Sequence, residues 1–235
     1  VDSKQQQQPQ QQQQQERIIR EYHDLLGWDS ATNTVVPSAP LAAGTWQDQI
    51  DTTELILTKY GLDPSLAGMW HEELIHIHGG DDPVIDHLRE MLLLCRDELG
   101  LQLAVCTSDD RIPTDTALRQ WKIDDLIMMG STICGNEVKN PKPHAEPLER
   151  LCQQVTESYN TNNDDKTIIT PSECIMVGDT ISDTGVARNA QALLCIGVLT
   201  GSGTAQQLYD TGAHVVVPNV GHIPALLAKL KQLQQ

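Results

Sequence analysis

Ile175-Met176-Val177-Gly178-Asp179-Thr180-Ile181-Ser182-Asp183 is the stretch that decides the fold. Its three leading apolar residues read as a short buried strand, and Gly178 lets the backbone turn sharply at the strand's end. Asp179 and Asp183 then project two carboxylates from the mouth of a strand-to-helix turn, ahead of a helix-like run over residues 184–190. Hard oxygen ligands at the C-terminal edge of a parallel sheet suit Mg²⁺ when it must also hold a phosphate. The plainer alternative makes Asp179 a helix cap and Asp183 a first-turn residue. Gly-Asp-x-x-x-Asp alone does not separate the two.

Two upstream stretches do. In Leu101-Gln102-Leu103-Ala104-Val105-Cys106-Thr107-Ser108-Asp109-Asp110, a second strand-like run stops at small hydroxyl residues, where an α/β sheet presents its ligands. The hydroxyls of Thr107 and Ser108 and the adjacent N–H groups can bind phosphate oxygens, or the two residues can simply cap the next helix. In Asn140-Pro141-Lys142-Pro143-His144-Ala145-Glu146-Pro147-Leu148, a lysine stands between two prolines ahead of the amphipathic series Leu148, Leu151, Cys152 and Val155. The flanking prolines restrict the backbone, so the ammonium is presented with little freedom. Such a charge neutralises a phosphate or carboxylate.

Hydroxyl, lysine and paired aspartates at three strand ends, in that order, resemble the haloacid dehalogenase superfamily, especially its phosphoglycolate phosphatase-like branch. The resemblance covers roughly residues 16–230. It is strongest over residues 177–227, where Gly197-Val198-Leu199-Thr200-Gly201 and Gly212-Ala213-His214-Val215-Val216-Val217 also fit. It implies that Thr107 is the phosphate-binding hydroxyl and Lys142 the lysine of the third motif. Asp179 and Asp183 then match the acidic pair that holds Mg²⁺, Asp179 being the direct ligand. The implied activity is Mg²⁺-dependent hydrolysis of a small phosphorylated metabolite such as phosphoglycolate. The implied fold is a Rossmann-like parallel α/β core with helices on both faces, plus a helical cap.

The opening departs from that pattern. These enzymes begin with Asp-x-Asp-x-Thr or Val on a first strand, whose leading aspartate is the nucleophile. Asp2-Ser3-Lys4 has no apolar strand before it, and Asp29-Ser30-Ala31-Thr32 carries alanine at its third position. Neither reads as the nucleophile. The chain is therefore expected to be an N-terminally shortened, inactive phosphatase; the alternative is a noncatalytic binding or scaffold protein that kept the phosphate cradle. The resemblance also places the absent strand centrally, so either its neighbours close up or their backbone groups stay unpaired, at a cost.

Composition sets the remaining bounds. The 235 residues allow one domain with an appendage, and a formal charge of −16 argues against nucleic acid or an anionic membrane as partner. No apolar run approaches the roughly 18 residues of a membrane span. Six cysteines, without C-x-x-C pairs and mostly inside apolar runs, read as buried free thiols of a reducing compartment such as the cytoplasm. Residues 1–15 hold ten glutamines and are expected to be disordered or loosely helical.

Residues 16–82 read as the helical cap. Ile18, Ile19, Tyr22, Leu25 and Leu26 make one stripe, Ile50, Leu55, Ile56 and Leu57 a second, and Met69, Trp70, Leu74, Ile75 and Ile77 a third. Residues 35–40 read as a loop. From residue 83 to 235, helices and strands alternate as in a parallel α/β core, with strands at 101–106, 126–129, 174–177 and 193–198 and helices at 84–99, 114–121, 148–155 and 184–191. Residues 160–165 read as an exposed loop. His71, His76 and His78 lack the i, i+4 spacing of H-E-x-x-H and read as ordinary cap residues, and Gly201-Ser202-Gly203 reads as a turn. Met128-Met129 are expected to pack in the core, Trp46 and Trp70 to pack in the core rather than serve as cap contacts, and His144 reads as an exposed loop residue or a contact to substrate or metal.

Overall fold

A computed structural model describes residues 2–78, 86–127, 130–162 and 167–233. Its first part is helical. Helix α1 (Asp2–Leu26) carries the glutamine tract, so the loosely helical expectation covers this segment. A short hairpin, β1 (Trp28–Asp29) with β2 (Thr34–Val35), follows, then α2 (Pro40–Ala43), α3 (Trp46–Lys59) and α4 (Leu66–His78). Thr45 starts α3 through a capping box with Asp48, which satisfies two N–H groups at the helix start. Inside this layer Tyr22 Oη lies 3.0 Å from Thr53 Oγ1, and Thr53 Oγ1 lies 3.2 Å from His71 Nε2. Trp46 stands edge-on against the His71 ring at 5.0 Å.

The stripes need correction. Only Ile18, Tyr22 and Leu26 turn inward on α1, while Ile19 and Leu25 are exposed, because 3.6 residues per turn aligns positions four apart and leaves their neighbours on the flank. For the same reason Leu55 faces solvent while Thr53, Ile56 and Leu57 are buried, and Met69 and Trp70 are exposed while His71 is buried. The side chains of Leu74, Ile75, His76, Ile77 and His78, and Met128 and Met129 entirely, lie outside the described residues.

The second part alternates as the sequence predicts. Helix α5 (Leu88–Leu93) widens into a π-turn over Leu94–Glu98; then come β3 (Val105–Cys106), α6 (Arg111–Gln120), β4 (Thr132–Ile133) and α7 (Glu146–Asn162). After them run β5 (Ile175–Gly178), α8 (Ile181–Asn189), β6 (Leu194–Val198), α9 (Ala205–Thr211), β7 (Val215–Val217) and α10 (Ile223–Leu233). The strand expected at 126–129 forms instead at Thr132–Ile133. Leu126 joins Leu118 and Ile123 in a buried cluster at a turn, and the strand starts after Gly130, whose positive φ of 82° ends that turn. Residues 160–162 of the loop expected over 160–165 are helical instead: Asn160 sits in the last turn of α7, and its side-chain amide exchanges two bonds with the backbone of Thr167, while residues 163–165 lie outside the described residues.

All pairings in this part are parallel: β3 with β4, and β5 with β6 with β7. Among the described residues no ladder joins the two sheets, so β3 and β5 have not closed up on each other. Helices cover both faces. Leu148, Leu151, Val186 and Leu208 pack on one side with Ile133 and Cys195, while Cys95, Ile223 and Leu227 pack on the other against Ile196. All six cysteines are free thiols, four of them buried, with Cys152 Sγ and Cys174 Sγ 3.5 Å apart. No helix of the described residues is long and apolar enough to cross a membrane.

Candidate active site

The site sits where β3 and β5 end. Gly178 is required at the tip of β5, since a Cβ there would overlap the Asp183 side chain. Helix α8 then begins with a capping box: Thr180 Oγ1 accepts from Asp183 N at 3.2 Å, and Asp183 Oδ2 accepts from Thr180 N at 3.0 Å and Thr180 Oγ1 at 2.7 Å. Thr180, not Asp179, is thus the cap. Asp183 does more than occupy a first turn, because its other oxygen, Oδ1, accepts from Lys142 Nζ at 2.6 Å. Both side chains are almost fully buried, 8% exposed for Lys142 and 9% for Asp183.

Lys142 also donates to the Cys106 carbonyl at 3.2 Å, so one ammonium ties the end of β3 to the start of α8. Its loop is held from below. The Lys142–Pro143 peptide is cis, Asn189 Nδ2 donates to the Pro143 carbonyl at 2.8 Å, and a Cβ at Gly185 would overlap Pro143. Burial pulls the Lys142 ammonium down, but the Asp183 carboxylate beside it wins, and the net direction is up. Lys142 is a fixed cation.

Asp179 follows Gly178 and is largely buried without an opposite charge in contact. Burial, and then the neighbouring Asp183 charge, hold its carboxyl above the usual carboxylate range, with Lys142 opposing. The loop after β6 closes over it: Gly203 N donates to the Asp179 carbonyl at 3.0 Å, and a Cβ at Gly201 would overlap its carboxylate. Gly201-Ser202-Gly203 is thus a turn against the acidic residue, followed by the Thr204 cap of α9.

Thr107 stands one residue beyond the Cys106 carbonyl that Lys142 reaches. Its N–H donates to Ile133 at 3.0 Å, and its hydroxyl accepts from Asp109 N at 3.1 Å. Helix α6 is preceded by Asp110, so neither Thr107 nor Ser108 caps it. Ser108 follows, with its carbonyl so close to Gly135 that a Cβ there would overlap it. The structure therefore brings Lys142, Asp183 and Asp179 together, next to the strand end that carries Thr107 and Ser108. Sequence reasoning passed over Gly201, Gly203 and Asn189; only the turn-forming glycines left a trace, and nothing local signals Asn189. Toward the helical layer, Ser182 Oγ donates to the Ala43 carbonyl of α2 at 3.5 Å.

These side chains alone do not make a Mg²⁺ site. Both oxygens of Asp183 are engaged, which leaves the Asp179 carboxylate, and among the described residues no group of three or more His, Cys, Asp or Glu side chains could share a metal ion. Asp29 is committed elsewhere. Its carboxylate accepts from Ala31 N, Thr32 N and Thr32 Oγ1 in the β1–β2 turn, which holds it below the usual range.

Comparison with known proteins gives a concordant answer. A family profile described as haloacid dehalogenase-like hydrolase matches residues 9–191. No curated protein matches. Among solved structures, a conserved haloacid dehalogenase-like protein of unknown function from Agrobacterium tumefaciens is similar at a TM-score of 0.56 and 19% identity, over 75% of each chain. A predicted phosphoglycolate phosphatase from Haemophilus somnus is similar at 0.58 and 15% identity, over 90% of this chain and 87% of that one. A family hydrolase from Deinococcus radiodurans, solved with bound phosphate and sodium, is similar at 0.50 and 21% identity, over 62% of this chain and 59% of that one. At such identities the likeness is one of fold.

Proposed function

Since the chain belongs to the haloacid dehalogenase-like hydrolase family, we propose that its site serves phosphomonoester hydrolysis, with a small phosphorylated metabolite such as phosphoglycolate as substrate. The observation that carries this reading is Lys142, a buried cation locked between the end of β3 and the start of α8. In this reading Lys142 neutralises the phosphate, Thr107 and Ser108 donate to its oxygens, and Asp179 is the carboxylate that would meet a Mg²⁺ ion. The phosphate bound in the Deinococcus radiodurans relative supports an anion as ligand. Residues 16–82 act as the cap that selects the substrate, residues 83–235 as the core, and residues 1–15 as an appendage.

The chain as it stands binds but does not turn over. A phosphoryl group needs a nucleophile; of the two candidates weighed, Asp2 has no apolar strand before it, and Asp29 spends its oxygens on its own turn. Titration with inorganic phosphate tests the cradle: binding is expected, and Thr107→Val and Lys142→Ala should each weaken it at least tenfold. Equal phosphate affinity in all three proteins would overturn the assignment.

A further inference from the structure

Helix α7 is stitched along one stripe to the segment that leads into β5. Asn160 exchanges two bonds with Thr167, and one turn earlier Thr156 Oγ1 accepts from Ile169 N at 2.9 Å. One turn earlier again stands Cys152, its Sγ 3.5 Å from Cys174 Sγ. Positions four apart share a helix face, so residues 152, 156 and 160 form three rungs, and the last of these is a pair of thiols. Both thiols are held in place. Cys152 belongs with Leu148, Leu151 and Val155 to the buried series that packs α7 on the sheet. Cys174 N donates to the Pro171 carbonyl at 2.9 Å, and the Cys174 carbonyl accepts from Leu194 N at 3.3 Å. Both residues also line a cavity of about 620 Å³ between β3 and β5, roomy enough for a small oxidant.

The hydrogen bonds give the two sulfurs different roles. Cys174 Sγ donates to the Thr170 carbonyl at 3.4 Å, so its lone pairs face Cys152, whose S–H is the donor between them. That bond lowers the Cys174 thiol and raises the Cys152 thiol, whereas burial raises those of Cys95, Cys106, Cys134 and Cys195. Cys174 is half-buried, and Cys152 is only 4% exposed. We propose that Cys152 and Cys174 are a reversible redox site, which hydrogen peroxide closes to a disulfide and a thiol reopens. The Cys174 thiolate attacks one peroxide oxygen and the O–O bond breaks, giving a sulfenic acid; the hydroxide that leaves takes up the Cys174 proton and becomes water. The Cys152 sulfur then displaces the sulfenic hydroxyl, which departs with the Cys152 proton as a second water. The pair loses two electrons, and the peroxide gains them. The sulfurs need approach by only about 1.5 Å to reach a disulfide bond of about 2.0 Å. The link fastens α7, which starts just after the Lys142 loop, to the strand that ends before Asp179.

Hydrogen peroxide titrated into the folded full chain, followed by alkylation and non-reducing peptide mapping, tests this. Two of the six thiols should escape alkylation, and the Cys152 and Cys174 peptides should appear joined, lighter by two hydrogen atoms. Dithiothreitol should restore both thiols. The oxidised chain should melt about 5–10 °C higher, since the link joins residues 22 positions apart and so restrains the unfolded chain. In Cys152→Ser the sulfenic acid has no partner thiol in contact, so dimedone should label Cys174. In Cys174→Ser neither a link nor a dimedone label on Cys152 should form. No link at all, a link to another cysteine, a link that forms only after unfolding in urea, or a label on Cys152 in Cys174→Ser would each overturn the site. So would an oxidised chain that melts no higher than the reduced one.

Discussion

Replacing Lys142 by methionine keeps most of the side-chain volume and removes the charge. In the native chain the ammonium lies 2.6 Å from Asp183 Oδ1, and neither side chain is more than 9% exposed. The substitution leaves Oδ1 buried without its cation, while Oδ2 keeps its two bonds from Thr180. Breaking a buried pair from one side costs about 3–5 kcal/mol, against about 0–1 kcal/mol for an exposed pair. At roughly 2–4 °C per kcal/mol for a chain of this size, the melting temperature should fall by about 6–20 °C. Circular dichroism melts and urea titrations measure it. The double variant Lys142→Met with Asp183→Asn removes the stranded charge, while the new side-chain amide oxygen can still accept from Thr180, so it should regain most of the loss. A single-variant loss under about 1 kcal/mol would class the pair with exposed ones. A double variant no more stable than the single would show that the lost bond to Cys106, not the orphaned carboxylate, dominates.

Asp179→Asn should stabilise the chain at neutral pH. Burial and the Asp183 charge raise the Asp179 carboxyl, so its contribution is favourable while protonated and is lost as pH rises through the folded value; melts across pH should show the variant's advantage shrinking as pH falls through that raised value and gone below about pH 4. Gly201→Ala would place a methyl on the Asp179 carboxylate and should cost about 1–3 kcal/mol in urea unfolding. Calorimetry should find only weak Mg²⁺ binding, since one free carboxylate leaves most of an octahedral shell to water; tight binding that survives Asp179→Asn would contradict the site.

The turn at Gly178 was legible because its chemistry is local: a strand end, a glycine and a carboxylate lie within a few residues. The partner of Asp183 was not, since Lys142 lies 41 positions away and only the fold brings the two together. The misplaced strand has the same origin. Leu126 and Ile127 look more strand-like than Ser131 and Thr132, yet the polar pair is buried: Val105 N and Arg111 Nη2 take up their carbonyls, while the Ser131 hydroxyl has no partner among the described residues. In the helical layer, periodicity located the helices but overstated their buried faces, as Ile19 and Leu55 show. The rest of the β3 run, residues 101–104, reads as strand in sequence but has no ladder among the described residues, where β4 is two residues long and the opposite edge faces a cavity.

Phosphate release from a panel of small phosphate esters, phosphoglycolate among them, tests the central claim most directly. This chain should release phosphate no faster than a mock preparation, whereas a longer chain carrying Asp-x-Asp-x-Thr on an added first strand should turn over in the presence of Mg²⁺ and lose that turnover with Lys142→Ala. Robust turnover by the present chain that Asp29→Asn abolishes, or silence from the longer chain as well, would contradict the account.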